Sequence, residues 1–233
     1  MTPQVSVILP TYNERENILP LINAIVNELK EYRYEILVMD DQSPDGTAQV
    51  VAEARLPAVQ VFVRTKDHGY APAILQGITY SQSKVIVIMD SDFNHDPRDL
   101  RKMVGLASGY DCVSASRFLK GGKMSPAWRG VCSRVFNWVI RHMTGSKMTD
   151  HLFGYFIINR EALNKVLENN IFYGFGDYGI RLLYYLQKNK AKILELPAIC
   201  GQRPTGHGSG HLLRKFFQYS KETLALAGQG KIS

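Results

Sequence analysis

Short runs of β-branched and apolar residues alternate with helix-length segments through the first half of the chain. The runs at 5–10, 34–40, 59–64, 85–90 and 111–116 are bounded by turn residues, as buried strands are. Between them, segments at about 14–31, 46–54, 71–81 and 97–107 have the length and spacing of helices. That alternation predicts an α/β fold: a mixed, mainly parallel sheet flanked by helices. Ligands of such sheets collect beyond the carboxyl ends of the strands. Here those ends read Pro10-Thr11-Tyr12-Asn13-Glu14, Asp40-Asp41-Gln42-Ser43 and Asp90-Ser91-Asp92, so polar and acidic groups converge on one edge.

The alternation breaks after Ser116. Further strands are expected at 155–159 and 191–197, and helices at 161–168, 177–188 and 211–227, the last preceded by a glycine-rich loop with Arg203 and His207. A helix over 126–143, turning about 100° per residue, gathers Trp128, Val131, Cys132, Val135, Phe136, Trp138, Val139, Ile140 and Met143 into one apolar arc. Arg134, Asn137 and Arg141 fall opposite, and Arg129 and Ser133 stack at one margin. Two tryptophans on one face with arginines on the other suit a helix lying in the interface of an anionic membrane.

Composition bounds the class. With 233 residues, 45% of them hydrophobic and 21% charged, the chain is expected to be one globular domain with an appendage. Cys112, Cys132 and Cys200 are odd in number and form no CxxC pair, which argues against a disulfide framework or a zinc site and for a reducing, cytosolic setting. The N-terminus carries no basic leader, and no apolar run is long enough to span a bilayer. The net charge of +7 calls for an anionic partner. From Asp111 to Asp150 no acid intervenes, while Arg117, Lys120, Lys123, Arg129, Arg134, Arg141 and Lys147 supply the whole excess.

Asp90 and Asp92 leave one strand end a residue apart, an arrangement that suits Mg²⁺ or Mn²⁺. Such ions take one or two protein carboxylates and complete their shell with water and substrate phosphate oxygens. Asp40 and Asp41 end a second strand, where an acid is well placed for ribose hydroxyls or base edges. The turn Ser43-Pro44-Asp45-Gly46 accounts for a helix cap but assigns Asp40 no structural task. No glycine-rich phosphate cradle is present, so phosphates fall to the cation and basic side chains. The histidines are scattered, without metal-ligand spacing.

Taken together, VSVILPTYNEREN at 5–17, DDQSPDGT at 40–47 and MDSDFNHDP at 89–97 resemble the metal-dependent inverting glycosyltransferases of family 2 with the GT-A fold, and most closely the dolichol-phosphate mannose synthases. The resemblance continues through Gly77, Ser116-Arg117, Lys120-Gly121-Gly122-Lys123, Arg129 with Ser133, Asp150 with Gly154, and Arg203 with Gly208-Ser209. It implies a single domain whose half at 1–116 holds nucleotide sugar and metal and whose half at 117–233 holds the acceptor, with interfacial helices near 126–143 and 211–227. Pro10, Tyr12, Glu14, Val38, Asp40 and Asp41 would hold the nucleoside; Asp90, Asp92 and Asn94 the cation; Arg117, Arg129 and Ser133 the phosphate of a polyprenyl phosphate; and Arg203 would lie near the sugar or its phosphates. A phosphate monoester is already largely ionised near neutral pH, so it needs orienting more than deprotonating. A sugar hydroxyl would instead want a carboxylate base, for which Asp150 and Asp177 are the candidates.

The expected reaction is transfer of mannose from GDP-mannose to polyprenyl phosphate at the cytoplasmic face of a membrane. Rivals are another donor such as UDP-glucose, a saccharide hydroxyl acceptor, and a nucleic-acid-binding protein. The last would need a basic groove lined with stacking aromatics, which the opposed faces of 126–143 do not supply. Three departures surround the sugar and acceptor: His151-Leu152-Phe153 within TDHLFG, Gly210-His211 where a lysine is usual, and no evident glutamate on the helix that begins near Asp177.

Overall fold

The run Val5–Thr11 is buried at every position and forms strand β1. Covered on both faces, it reads as an unbroken apolar stretch rather than an alternating one, as strands in the middle of parallel sheets do. The computed structural model describes residues 3–201, 204 and 212–232, without the side chains of 212–215. Arg203, His207, Gly208, Ser209, Gly210 and His211 lie outside the described residues.

In chain order the elements are β1, α1 (Arg15–Leu29), β2 (Tyr34–Asp40), α2 (Thr47–Ala54), β3 (Val59–Val63), α3 (Tyr70–Tyr80), β4 (Val85–Ile88), α4 (Leu100–Leu106), β5 (Cys112–Ser116), α5 (Ala127–Thr144), β6 (Phe156–Asn159), α6 (Arg160–Leu167), α7 (Tyr178–Lys188), β7 (Ile193–Pro197) and α8 (Leu212–Gly228). Each lies within a few residues of its expected range. One sheet runs β3-β2-β1-β4-β6-β5-β7. Only β6 is antiparallel to its neighbours, so six carboxyl ends and the start of β6 share one edge.

Strand order reverses between β1 and β4, which opens a crevice there. Ser91 Oγ crosses it to donate to the Pro10 carbonyl at 2.9 Å, tying the Asp90-Ser91-Asp92 loop to the end of β1. One apolar layer joins Val7, Leu9 and Val38 to α1 and α4, and the other joins Ile8, Leu37 and Met39 to α3, α6 and α7. Each fully buried Ile or Leu contributes roughly 1.5–3 kcal/mol, so the strands that present the edge stand on a stiff base. Helix α3 lies close against β1 because Gly77 has no side chain: a Cβ there would meet Ile8 Cγ2 at 2.5 Å.

Helix α5 corrects the single apolar arc expected of it. Phe136, Ile140 and Thr144 face inward, while Trp128, Val131, Val135 and Trp138 are each more than half exposed. Asn137, expected among the arginines, is buried, because the loop at 149–153 offers its amide the partners a buried polar group requires.

Candidate active site

Three loops meet at the β1 and β2 ends. Asn13 N–H donates to Ser43 Oγ, Glu14 N–H to Thr47 Oγ1 and Arg15 N–H to Asp45, so side chains after β2 hold the backbone that follows β1. Asp40 does have a structural task, contrary to the expectation. It is almost fully buried and accepts from Ser43 N–H at 2.9 Å and Ser43 Oγ–H at 2.5 Å. Asp41 is also engaged, pairing with the buried Arg64 and accepting from Gly69 N–H at 2.7 Å. Glu14 is buried beside Asn17, and Tyr12, directly after β1, is 58% exposed. Val38 is a correction: its side chain is enclosed in the apolar layer with Val7 and Leu9 and presents no surface to a nucleoside.

The Asp90-Ser91-Asp92 loop leaves β4 at the crevice. The Asp90 side chain is 25% exposed, accepts a hydrogen bond from the Tyr70 hydroxyl, and belongs to a residue whose N–H donates to His95 Nδ1 at 2.8 Å. With Nδ1 filled, the His95 proton sits on Nε2 and goes to the Phe153 carbonyl at 2.8 Å. His95 also stacks on Tyr155 at 4.7 Å, so one buried ring joins the acidic loop to the start of β6. Asp92 accepts from Asn94 N–H at 3.0 Å and Asn94 Nδ2 at 2.7 Å, and Asn94 Oδ1 faces the Cys200 thiol. Asn94 thus orients Asp92. Among the described residues no group of three or more His, Cys, Asp or Glu side chains gathers to enclose a metal. Two partly open carboxylates fit a hard cation that brings water and phosphate oxygens for its remaining positions.

The other end of the edge is built around Arg117, directly after β5. Its guanidinium binds Asp150 in a fork, Nε to Oδ2 at 2.7 Å and Nη2 to Oδ1 at 2.8 Å, and its backbone N–H adds a third bond. Nη2 also reaches Ser133 Oγ at 3.4 Å, so α5 brings to Arg117 the serine expected beside it. The guanidinium lies over the Phe153 ring at 4.9 Å. Burial opposes its charge, but the bonds and charge of Asp150 outweigh this and hold the Arg117 pKa above its ordinary value, with Asp90 contributing in the same direction. Gly122 lets the 118–123 turn fold onto this strand end, since a Cβ there would sit 2.7 Å from the Arg117 carbonyl. Arg129 is exposed in the first turn of α5, its guanidinium over the Trp128 ring at 5.4 Å; no bond brings it to Arg117.

Supports for this end that residue patterns did not reveal come from distant segments. Glu195 on β7 accepts from Thr149 N–H, Thr149 Oγ1 and Asp150 N–H, and burial together with Asp150 raises its pKa. Asn137 Oδ1 accepts from both His151 N–H and His151 Nδ1. The His151 departure points to Asn137 alone, and no local residue pattern points to Glu195. Asp177 is fully buried and paired with Arg181, so neither it nor Asp150 is placed as an accessible base.

A switch-point crevice with two carboxylates at the end of β4 and a buried arginine at the end of β5, two strands further along the same edge, defines a GT-A-like α/β protein. The fold matches that of glucosyl-3-phosphoglycerate synthase from Mycobacterium tuberculosis, solved with Mn²⁺, UDP and glucosyl-3-phosphoglycerate, at a TM-score of 0.69 and 20% identity over 97% of this chain and 80% of that one. More specifically, the chain belongs to glycosyl transferase family 2, whose model matches residues 6–167. It is 35% identical over 210 residues to a dolichol-phosphate mannosyltransferase of Pyrococcus furiosus, covering 87% of this chain and 58% of the relative, so it spans little more than half that protein's length. It is 33% identical over 214 residues to the polyprenol monophosphomannose synthase of Mycolicibacterium smegmatis, covering 88% of this chain and 80% of the relative.

Proposed function

We propose that the chain transfers mannose from GDP-mannose to a polyprenyl phosphate, with inversion, at the cytoplasmic surface of a membrane. The observation that carries this reading is the pairing of Arg117 with Ser133 at the same strand edge as Asp90 and Asp92, with both candidate base carboxylates consumed by arginines. A hydroxyl acceptor needs a base at hand, whereas a lipid phosphate arrives ionised and needs a positive, well-oriented seat. The names of the two relatives support both mannose and a polyprenyl phosphate.

Asp90 and Asp92 would hold Mg²⁺ or Mn²⁺, which as a Lewis acid stabilises the charge gathering on the departing nucleoside diphosphate. Tyr12 and the loops at 11–14 and 40–47 would flank the nucleoside. Arg117 and Ser133 would bind the acceptor phosphate and aim one oxygen at the anomeric carbon, on the face opposite the leaving group. Arg129, a turn before Ser133, would add charge from the solvent side, and Arg203 is kept as a contact to the sugar or its phosphates.

No described helix is long and apolar enough to cross a membrane. Exposed Trp128 and Trp138 on α5 and exposed Phe216, Phe217 and Leu224 on α8 would instead lie in the interface, where amphipathic aromatic rings are favoured, and Phe216 packs on Phe136 to join the two helices. The testing experiment offers the protein a panel of nucleotide sugars with a polyprenyl phosphate, with and without Mg²⁺ or Mn²⁺. Metal-dependent lipid-linked mannose from GDP-mannose is expected. Preferential use of another donor would overturn the mannose assignment, and no lipid-linked sugar from any donor would overturn the reading.

A further inference from the structure

The least explained buried polar group near the edge is His151, which stands in the segment that departs from the family's usual run. It is 1% exposed and lies directly after Asp150, yet it touches neither Arg117 nor the acidic loop. Burying an imidazole costs free energy unless each nitrogen finds a partner, and here both do. Asn137 Oδ1 accepts the His151 backbone N–H at 2.7 Å, which fixes the amide with its oxygen toward His151. Nδ1, 3.0 Å from the same oxygen, must then carry the ring proton, so Nε2 accepts from Ser146 Oγ at 2.7 Å. Ser146 Oγ in turn accepts from Gln187 Nε2 of α7 at 2.8 Å.

The other half of the Asn137 amide faces the site. Its Nδ2 donates to the Ser133 carbonyl at 2.9 Å and lies 3.5 Å from Asp150 Oδ1. One side chain thus touches the residues on both sides of the Arg117 guanidinium: Ser133, which approaches Nη2, and Asp150, which forks onto Nε and Nη2.

We propose that Asn137 and His151 form a hydrogen-bonded clamp that positions Arg117 and Ser133 for the acceptor phosphate by fixing α5 against the loop carrying Asp150. They are positioning residues: neither contacts the reacting atoms. The clamp rests on the acceptor reading given above and predicts an effect confined to the acceptor.

The test is steady-state kinetics with GDP-mannose and polyprenyl phosphate varied separately, on variants whose folding is checked by circular dichroism. Asn137→Asp keeps the oxygen that His151 uses but replaces the donor facing Ser133 and Asp150 with a second carboxylate oxygen. It should raise the acceptor KM about tenfold or more, as small misplacements at a site do, while the donor KM stays within about twofold. His151→Leu should act in the same direction, and His151→Asn, which retains an N–H near the Nδ1 position, should restore most of the loss. If Asn137→Asp fails to fold, the His151→Leu and His151→Asn pair decides. Arg117→Lys run in parallel separates the two claims. A raised acceptor KM there, with unmoved values in the folded Asn137 and His151 variants, overturns the clamp alone; an unmoved acceptor KM in Arg117→Lys overturns the acceptor reading and the clamp with it. Equal increases in both KM values would mark the pair as merely structural and also overturn the clamp.

Discussion

At the β4 end of the strand edge, Asp90 and Asp92 stand one residue apart on a single loop, and Asp92 is oriented by Asn94, two residues further on. At the β5 end, Arg117 is held by Asp150, Ser133 and Met124, drawn from three other stretches of chain. The first arrangement leaves carboxylate surface partly exposed. The second is assembled in advance, with the arginine charge already balanced by a buried acid. Charge is therefore used in two ways along one edge: as partly open carboxylate surface at the β4 end, and as a rigid, internally balanced frame at the β5 end.

Substitutions separate the two ends. Asp92→Ala should have the largest effect, lowering kcat by roughly 10³-fold or more through loss of Lewis-acid stabilisation, with weakened Mn²⁺ binding seen by calorimetry and an unchanged melting temperature. A large drop in melting temperature would show that the open end is also a frame.

At the framed end, the His151 pKa is lowered to about 4 from 6.5, chiefly by burial and further by Arg141, against an opposing pull from Asp150. Because the unfolded chain binds the proton more tightly, the contribution of neutral His151 is complete above pH 6.5 and is lost as pH falls toward about 4, a change on the order of 3 kcal/mol. Denaturant titrations between these limits should show that slope, and His151→Asn should flatten it. An identical slope in both proteins would remove His151 as its source.

Arg117→Lys keeps the charge but loses the fork, so the acceptor KM should rise about tenfold to a hundredfold, roughly 1.4–2.7 kcal/mol, with little change in donor KM. A change in donor KM alone would exchange the roles of the two ends. Smallest is the outer face of α5: replacing Trp128 and Trp138 by serine should weaken binding to anionic vesicles about tenfold, measured by sedimentation, while turnover with a short, water-soluble acceptor phosphate stays the same. Unchanged vesicle binding would remove this face from the interface.

How far each end could be read from residues alone follows from the same contrast. The strands, their carboxyl ends and the Asp90-Ser91-Asp92 loop are contiguous features, visible as apolar runs with acids at their tips. Arg117 and Ser133 were identified as partners only through family resemblance, and no local pattern names Glu195, 45 residues beyond Asp150 and bonded to its backbone N–H. Asn137 shows the limit most clearly. Helical spacing assigns it to the polar side of α5 with the exposed Arg134 and Arg141, but the packing of the 149–153 loop buries this one position. Asp40 differs in the opposite direction: its bond to Ser43 is local, three residues away, and gives it a structural task that the Ser43-Pro44-Asp45-Gly46 turn alone does not suggest.

The central claim is that the framed end seats a phosphate and needs no base. The direct measurement compares transfer from labelled GDP-mannose to polyprenyl phosphate and to the matching polyprenol without the phosphate, in the same vesicles and with the same divalent cation. Labelled lipid from the phosphate and none above background from the alcohol is the predicted result; comparable transfer to the alcohol, or to a soluble saccharide offered alongside, would contradict it.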